Sequence, residues 1–268
     1  MNHKLPTNVV QHPPSNASVV VVIPARWGST RFPGKSLHLI AGRPLVQHVW
    51  ERCCRARAIQ HVIIATDDQR IQHVAEAFGA EVVMTSPDHE TGTDRIAEVA
   101  TLLQKKRSAS PISHFINVQG DEPLIDPQLV NRLAQTLLKD PSIEMITAAT
   151  PLVEDIHRND PNIVKVVLNR QGNALYFSRS MIPFHRDVHD PASAVTPLLH
   201  LGIYGFRRDI LKKIVRLRPS PLECCEKLEQ LRALEHGITI RVVTTTHRAL
   251  GVDTPEDAWR IEAYFHKK

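Results

Sequence analysis

The sequence predicts an α/β protein built on a mixed, mainly parallel sheet flanked by helices, with an inserted, partly antiparallel lobe. Three observations lead there. Short β-branched runs alternate with amphipathic stretches as far as about residue 150, the pattern of parallel βαβ units with right-handed crossovers. Beyond residue 151 the rhythm changes to strand, turn, strand. Glycines, arginines and carboxylates follow several apolar runs directly, at the strand ends where parallel sheets bind ligands.

Residues 19–23 are a continuous apolar run suited to a buried central strand. Over residues 44–57, Leu45, Val49, Trp50 and Cys53 recur at helical spacing. HVIIAT, residues 61–66, is the second strand. Asp67 or Asp68 caps the next helix, which ends near Phe78 with Gly79 just past its end. Residues 80–84 form a third strand. Thr91 and Asp94 have capping-box spacing, and a helix follows to about Lys105. HFINVQ, residues 114–119, is the fourth strand. Asp126 and Pro127 suit the cap and first position of a helix reaching Leu138, and residues 144–150 are the fifth strand. Residues 163–169 and 173–178 flank RQG and read as a β-hairpin. A strand at 200–206, a helix at 221–236, a strand at 238–246 and a helix at 255–265 complete the chain. Residues 1–17 are polar and Pro-rich without an apolar core segment, and read as a disordered tail. Residues 18–268 are then one domain, with the inserted lobe at about 151–206.

Composition narrows the function. The 268 residues are 42% hydrophobic, enough for a real core. The net charge of +5 comes from scattered basic residues with no dense Lys/Arg run, which favours a small anionic substrate over nucleic acid. No segment approaches the roughly 20 apolar residues of a membrane span. The four cysteines form two adjacent pairs, Cys53-Cys54 and Cys224-Cys225, with no C-x-x-C. They read as reduced thiols packed on helices in a cytoplasmic protein.

The chemistry begins in VVIPARWGSTRFPGKSL, residues 21–37. A P-loop needs four residues between its glycines and a helix directly after. Here five separate Gly28 from Gly34, and Gly42 and Pro44 oppose an immediate helix. What remains is a glycine-bearing basic loop after a buried strand. Arg26 and Arg31 can grip phosphate oxygens in pairs and Lys35 can act as a point charge. Asp121 stands at the end of the fourth strand. Because Asp126 has a cap to make, Asp121 is free to hold Mg²⁺. In GVDTPEDAW, Thr254, Pro255 and Asp257 suit N-cap, N1 and N3, so Asp253 is available as a second carboxylate ligand. A basic loop with two carboxylates points to Mg²⁺-assisted chemistry on a nucleotide.

The opening motif resembles the P-A-R-x-x-S-T-R-x-P-G-K-x-L signature of 3-deoxy-manno-octulosonate cytidylyltransferases. So do DHETGTDRIAEV, NVQGDEPLI, NIVKVVLN, ALYFSRSMIPF, HLGIYGFRRDIL, PSPLECCEKLEQLR and GVDTPEDAWRIE, in the family's order from residue 19 to about 262. The resemblance implies a Rossmann-like nucleotide-diphospho-sugar transferase fold, usually homodimeric. It also implies transfer of CMP from CTP to the anomeric hydroxyl of 3-deoxy-manno-octulosonate (Kdo) for lipopolysaccharide synthesis. By motif position Arg26, Arg31 and Lys35 would bind the triphosphate, with Ala25, Thr91, Gly92 and Thr93 beside the cytidine. Asp121 and Asp253 would hold Mg²⁺. Gln119, Arg179, His200, Glu226 and Gln230 would line the sugar site. Protomers would meet near the hairpin and YFSRS. Glu226 and Gln230, four apart on the helix expected at 221–236, would share one face. An amino-sugar analogue or sialic acid as acceptor, or a non-catalytic nucleotide sensor, are the alternatives.

Overall fold

The computed structural model describes residues 17–28, 31–106, 112–152, 159–184, 186, 195–247 and 250–266. Nearly all of the expected N-terminal tail and parts of the expected lobe lie outside the described residues. The first half runs β1 (Val19–Pro24), a small hairpin of β2 (Leu39–Ile40) and β3 (Arg43–Pro44), α1 (Leu45–Cys53), β4 (His61–Thr66), α2 (Gln69–Ala77), β5 (Glu81–Met84), α3 (Gly92–Lys106), β6 (His114–Asn117), α4 (Pro127–Lys139) and β7 (Met145–Pro151). The second half runs β8 (Lys165–Leu168), β9 (Ala174–Ser178), β10 (Leu198–Arg207), α5 (Arg208–Ile214), α6 (Pro221–Glu226), α7 (Gln230–Glu235), β11 (Ile240–Thr244) and α8 (Pro255–His266).

The strands order as β11-β7-β10-β6-β1-β4-β5, with β8 and β9 attached to β10. β1 is parallel to β4 and β6 and buried on both faces. Its side chains alternate between two cores. Val20 and Val22 meet Ile96, Val99 and Leu103 of α3, whereas Val19, Val21 and Ile23 join the cluster holding Val46 and Val49 of α1 and Leu129 and Leu133 of α4. Local signals set the helix starts. Asp68 accepts from the Arg70 N–H, Asp126 accepts from the Gln128 N–H, and Thr91 and Asp94 cap each other's backbone.

The structure departs from the sequence reading in three places, and it settles where one further strand lies. That strand is β10, which inserts between β6 and β7, antiparallel to both. Gly205 permits this insertion: a Cβ there would lie 2.6 Å from the Ile146 side chain. α1 stops at Cys53, because the backbone N–H groups of Arg57 and Ala58 turn away to the Asn131 side-chain oxygen. α5 was not anticipated; it follows β10 without a turn and its N-cap, Arg207, makes no side-chain cap. The helix expected at 221–236 is two. Lys227 adopts a left-handed φ of 54°, and the Leu228 N–H donates to Glu223 O at 3.3 Å, closing α6 as a Schellman turn does. Cys53 is buried as expected, but Cys54, Cys224 and Cys225 are exposed thiols. Among the described residues no helix is long and apolar enough to cross a membrane.

Candidate active site

A polar cleft opens over the carboxyl ends of β1 and β6, where an α/β sheet places its ligands. Its floor is Pro24 and Gly120, and one wall is Arg26, Arg31 and Lys35. Thr91, Gly92 and Arg95 at the start of α3 also line it, as do Asp121 and Asp253. Gly120 is required there, since a Cβ would sit 2.6 Å from the Pro24 carbonyl oxygen.

The basic loop is no P-loop. Gly34 turns at φ +69° against the Trp27 indole, and only one 3-10 turn, Lys35–Leu37, follows before the β2–β3 hairpin. That turn sends Lys35 Nζ between two carboxylates, 2.6 Å from Asp121 Oδ2 and 3.3 Å from Asp253 Oδ1, with Val252 O at 3.2 Å. Arg31 Nη2 pairs with Asp253 Oδ2 at 3.1 Å. A backbone bond from the Val252 N–H to Asp121 O ties the two acidic segments together. As the sequence implied, Thr254 and Asp257 do the capping of α8, which leaves the Asp253 carboxylate for the cleft. Beside Asp121, the Glu122 carboxyl is buried; burial and the neighbouring Asp121 charge push it up to about 8.

The expected site residues fall into groups. Arg26, Arg31, Lys35, Thr91, Gly92, Gln119, Asp121 and Asp253 all line the cleft. Ala25 and Thr93 lie beneath it. The Ala25 side chain joins the core, and the buried Thr93 side chain lies beside the Glu229 carboxyl, which burial pushes up from its ordinary value.

Arg179 and Glu226 meet elsewhere, at the end of β9. The Glu226 carboxylate accepts from Ser178 Oγ at 2.7 Å and from the Arg179 N–H at 2.9 Å, while Arg179 Nε donates to Glu226 O at 2.7 Å. The break at Lys227 puts Glu226 and the buried Gln230 on different helices, so they do not share a helical face.

His200 on β10 is packed between Phe177 and Tyr204, and burial pushes its imidazole down to about 3. The hydroxyl proton of Thr147 goes to a carbonyl, Ile203 O at 2.7 Å. His200 Nε2–H therefore donates to Thr147 Oγ1, at 3.0 Å, and Nδ1 is the acceptor.

Sequence reasoning missed Arg95 and Glu229. Arg95 is buried and bonded to Asp67 Oδ2 at 2.7 Å and to Thr85 Oγ1. Its signal was present: Arg95 lies in the stripe of Val99 and Leu103, and a charge on a core-facing stripe needs a partner. Glu229, at the start of α7, lies beside Thr93 at the start of α3, across 136 positions of sequence that carry no local mark of the pairing.

Among the described residues, a nine-stranded, mainly parallel sheet with a cleft of cations beside paired carboxylates at its strand ends defines a nucleotide-handling α/β protein. The family model for cytidylyltransferases matches residues 20–240. The chain belongs to the 3-deoxy-manno-octulosonate cytidylyltransferase family. It is 50% identical over 252 residues to the 3-deoxy-manno-octulosonate cytidylyltransferase of Syntrophotalea carbinolica, covering 92% of this chain and 98% of that protein. It is 50% identical to the enzyme of that name from Myxococcus xanthus, covering 91% of this chain and 95% of that one. A solved CMP:2-keto-3-deoxy-manno-octonic acid synthetase complexed with CTP superposes with a TM-score of 0.85 at 40% identity, covering 93% of this chain and 99% of that chain.

Proposed function

We propose that this protein transfers CMP from CTP to the anomeric hydroxyl of 3-deoxy-manno-octulosonate, giving CMP-Kdo and pyrophosphate for lipopolysaccharide synthesis. The observation that carries the reading is the cleft in which two carboxylates converge on one cation beside a basic loop, in a chain 50% identical along nearly its whole length to enzymes of that name. Arg26, Arg31 and Lys35 bind the triphosphate and offset the charge that accumulates on the departing pyrophosphate. Thr91 and Gly92, with Ala25 and Thr93 behind them, bound the cytidine. Gln119, Arg179, His200, Glu226 and Gln230 hold the sugar acid; His200 Nδ1, left as an acceptor, suits a sugar hydroxyl. The hydroxyl attacks the α-phosphorus in line and pyrophosphate leaves.

The donor chemistry fits magnesium. Asp121, Asp253 and the Val252 carbonyl surround the Lys35 ammonium with hard oxygen donors. Asp121 and Asp253 would hold Mg²⁺, which supplies charge neutralisation on the triphosphate and a lower pKa for a bound hydroxyl. The working form is a cytoplasmic homodimer whose protomers meet near the β8–β9 hairpin.

Pyrophosphate release from CTP, Kdo and Mg²⁺ tests the reading, and product analysis with sialic acid or an amino-sugar analogue fixes the acceptor. CTP binding without pyrophosphate release in the presence of any of these acceptors would make the protein a nucleotide sensor. Turnover that survives complete chelation of divalent metal would remove magnesium from the account.

A further inference from the structure

Lys165, the first residue of β8, is fully buried. That is an unusual place for an ammonium, which is strongly hydrated in water. Its three N–H donors each meet a backbone carbonyl: Arg179 O at 2.5 Å, Ile163 O at 2.7 Å and Asp160 O at 3.0 Å. All its donor capacity is therefore spent on the chain. Two of those carbonyls belong to the turn entering β8, and the third to the residue immediately after β9.

Arg179 grips the same turn from the other side. Its Nη1 donates to Pro161 O at 2.8 Å, while its Nε and backbone N–H hold both ends of Glu226. Two cations thus join three segments that no strand pairing joins here: 160–163, 178–180 and the end of α6. A hydrocarbon at 165 would fill the volume but remove one donor from each of three carbonyls. A planar guanidinium would not match three acceptors grouped about one point.

We propose that Lys165 is a positioning residue for the sugar-acid end of the site: its ammonium fixes the Arg179 backbone, and through it the guanidinium and the Glu226 carboxylate. The inference rests on the assignment of Arg179 and Glu226 to the sugar acid. Lys165 itself touches no substrate.

The test uses the full chain and the variants Lys165→Met, which keeps length and loses donors, and Lys165→Gln, which keeps a shorter neutral donor. In Lys165→Met the KM for Kdo should rise about tenfold or more while the KM for CTP, and CTP affinity measured without sugar, stay within about twofold. In an Arg179→Ala background the same substitution should change the KM for Kdo by less than about twofold, because it acts through Arg179. Amide hydrogen exchange should quicken at 160–163 and 178–180 and not at 91–95.

Equal rises in both KM values, losses that multiply with Arg179→Ala, or unfolding of both variants would overturn the proposal and make Lys165 a holder of the fold. A wild-type protein that releases no pyrophosphate from CTP and Kdo would defeat the functional reading alone. The exchange measurement needs no turnover, so it still decides whether Lys165 fixes Arg179.

Discussion

Around the β1–β6 cleft, cations meet carboxylates: Lys35 lies between Asp121 and Asp253, and Arg31 pairs with Asp253. Around the β8–β9 hairpin, cations meet the main chain: Lys165 is held by three carbonyls, and Arg179 by those of Pro161, Glu226 and Lys227. The difference separates two ways of holding charge. A side-chain ion pair at a half-open cleft can be exchanged, so a triphosphate or a divalent cation can take the place of either partner. A cation clamped by carbonyls cannot exchange its partners without moving backbone. The first arrangement suits a ligand that brings its own large charge. The second suits directional recognition of a small polyhydroxy acid, where a shift of the frame of about 1 Å costs much of the rate.

The largest effect that would break this comparison belongs to the exchangeable side. Asp121→Asn and Asp253→Asn keep shape and remove charge. Each should lower turnover by about 10²-fold or more, the scale of a lost electrostatic stabiliser. The double variant should lose much less than the product of the two, because both carboxylates serve one cation. Pyrophosphate release at saturating substrates reads this directly. Small, additive losses would mean that the pair only holds Lys35 in place.

A middle-sized effect belongs to the clamped side. Glu226 accepts from Ser178 Oγ and the Arg179 N–H. Glu226→Ala should therefore raise the KM for Kdo by about tenfold, as expected when a site built for hydrogen bonds loses a partner. CTP binding measured without sugar should remain as in the wild type. If CTP affinity falls equally, the two regions are one unit and the contrast between them fails.

The same contrast explains what could be read in the sequence. The cleft was legible by subtraction. Asp126 and Thr254 with Asp257 were assignable as caps, and that left Asp121 and Asp253 for chemistry. The direct bonds from Lys35 to both were not legible, since the partners lie 86 and 218 positions away. Strand existence was clear from β-branched runs, but the place of β10 between β6 and β7 depends on pairing far along the chain. On the sugar side the carbonyls that hold Lys165 and Arg179 carry no residue identity at all. ECCEKLEQLR offers good helix formers and no Gly or Pro at the break. Tertiary contacts override that propensity: Leu228 enters the core and Glu229 reaches Thr93.

The smallest effect sharpens the comparison at that break. At φ 54°, Lys227 occupies a conformation that costs an L-residue roughly 1 kcal/mol and glycine almost nothing. Its carbonyl, which accepts from Arg179 Nη2, is backbone and survives substitution. Lys227→Gly should therefore stabilise the protein by about 0.5 kcal/mol, after the unfolded chain's gain in freedom is set against the relieved strain. Lys227→Val should destabilise it by about 1 kcal/mol or more, because a β-branched side chain tolerates the left-handed region worst. A continuous helix through 221–236 would reverse the order: glycine would cost about 1 kcal/mol relative to a good helix former and valine only some tenths. Urea midpoints for the two variants, taken at an unchanged m-value, give the sign. Glycine above wild type and valine below it means that the chain turns at Lys227, and that Glu226 faces Arg179 because of that turn.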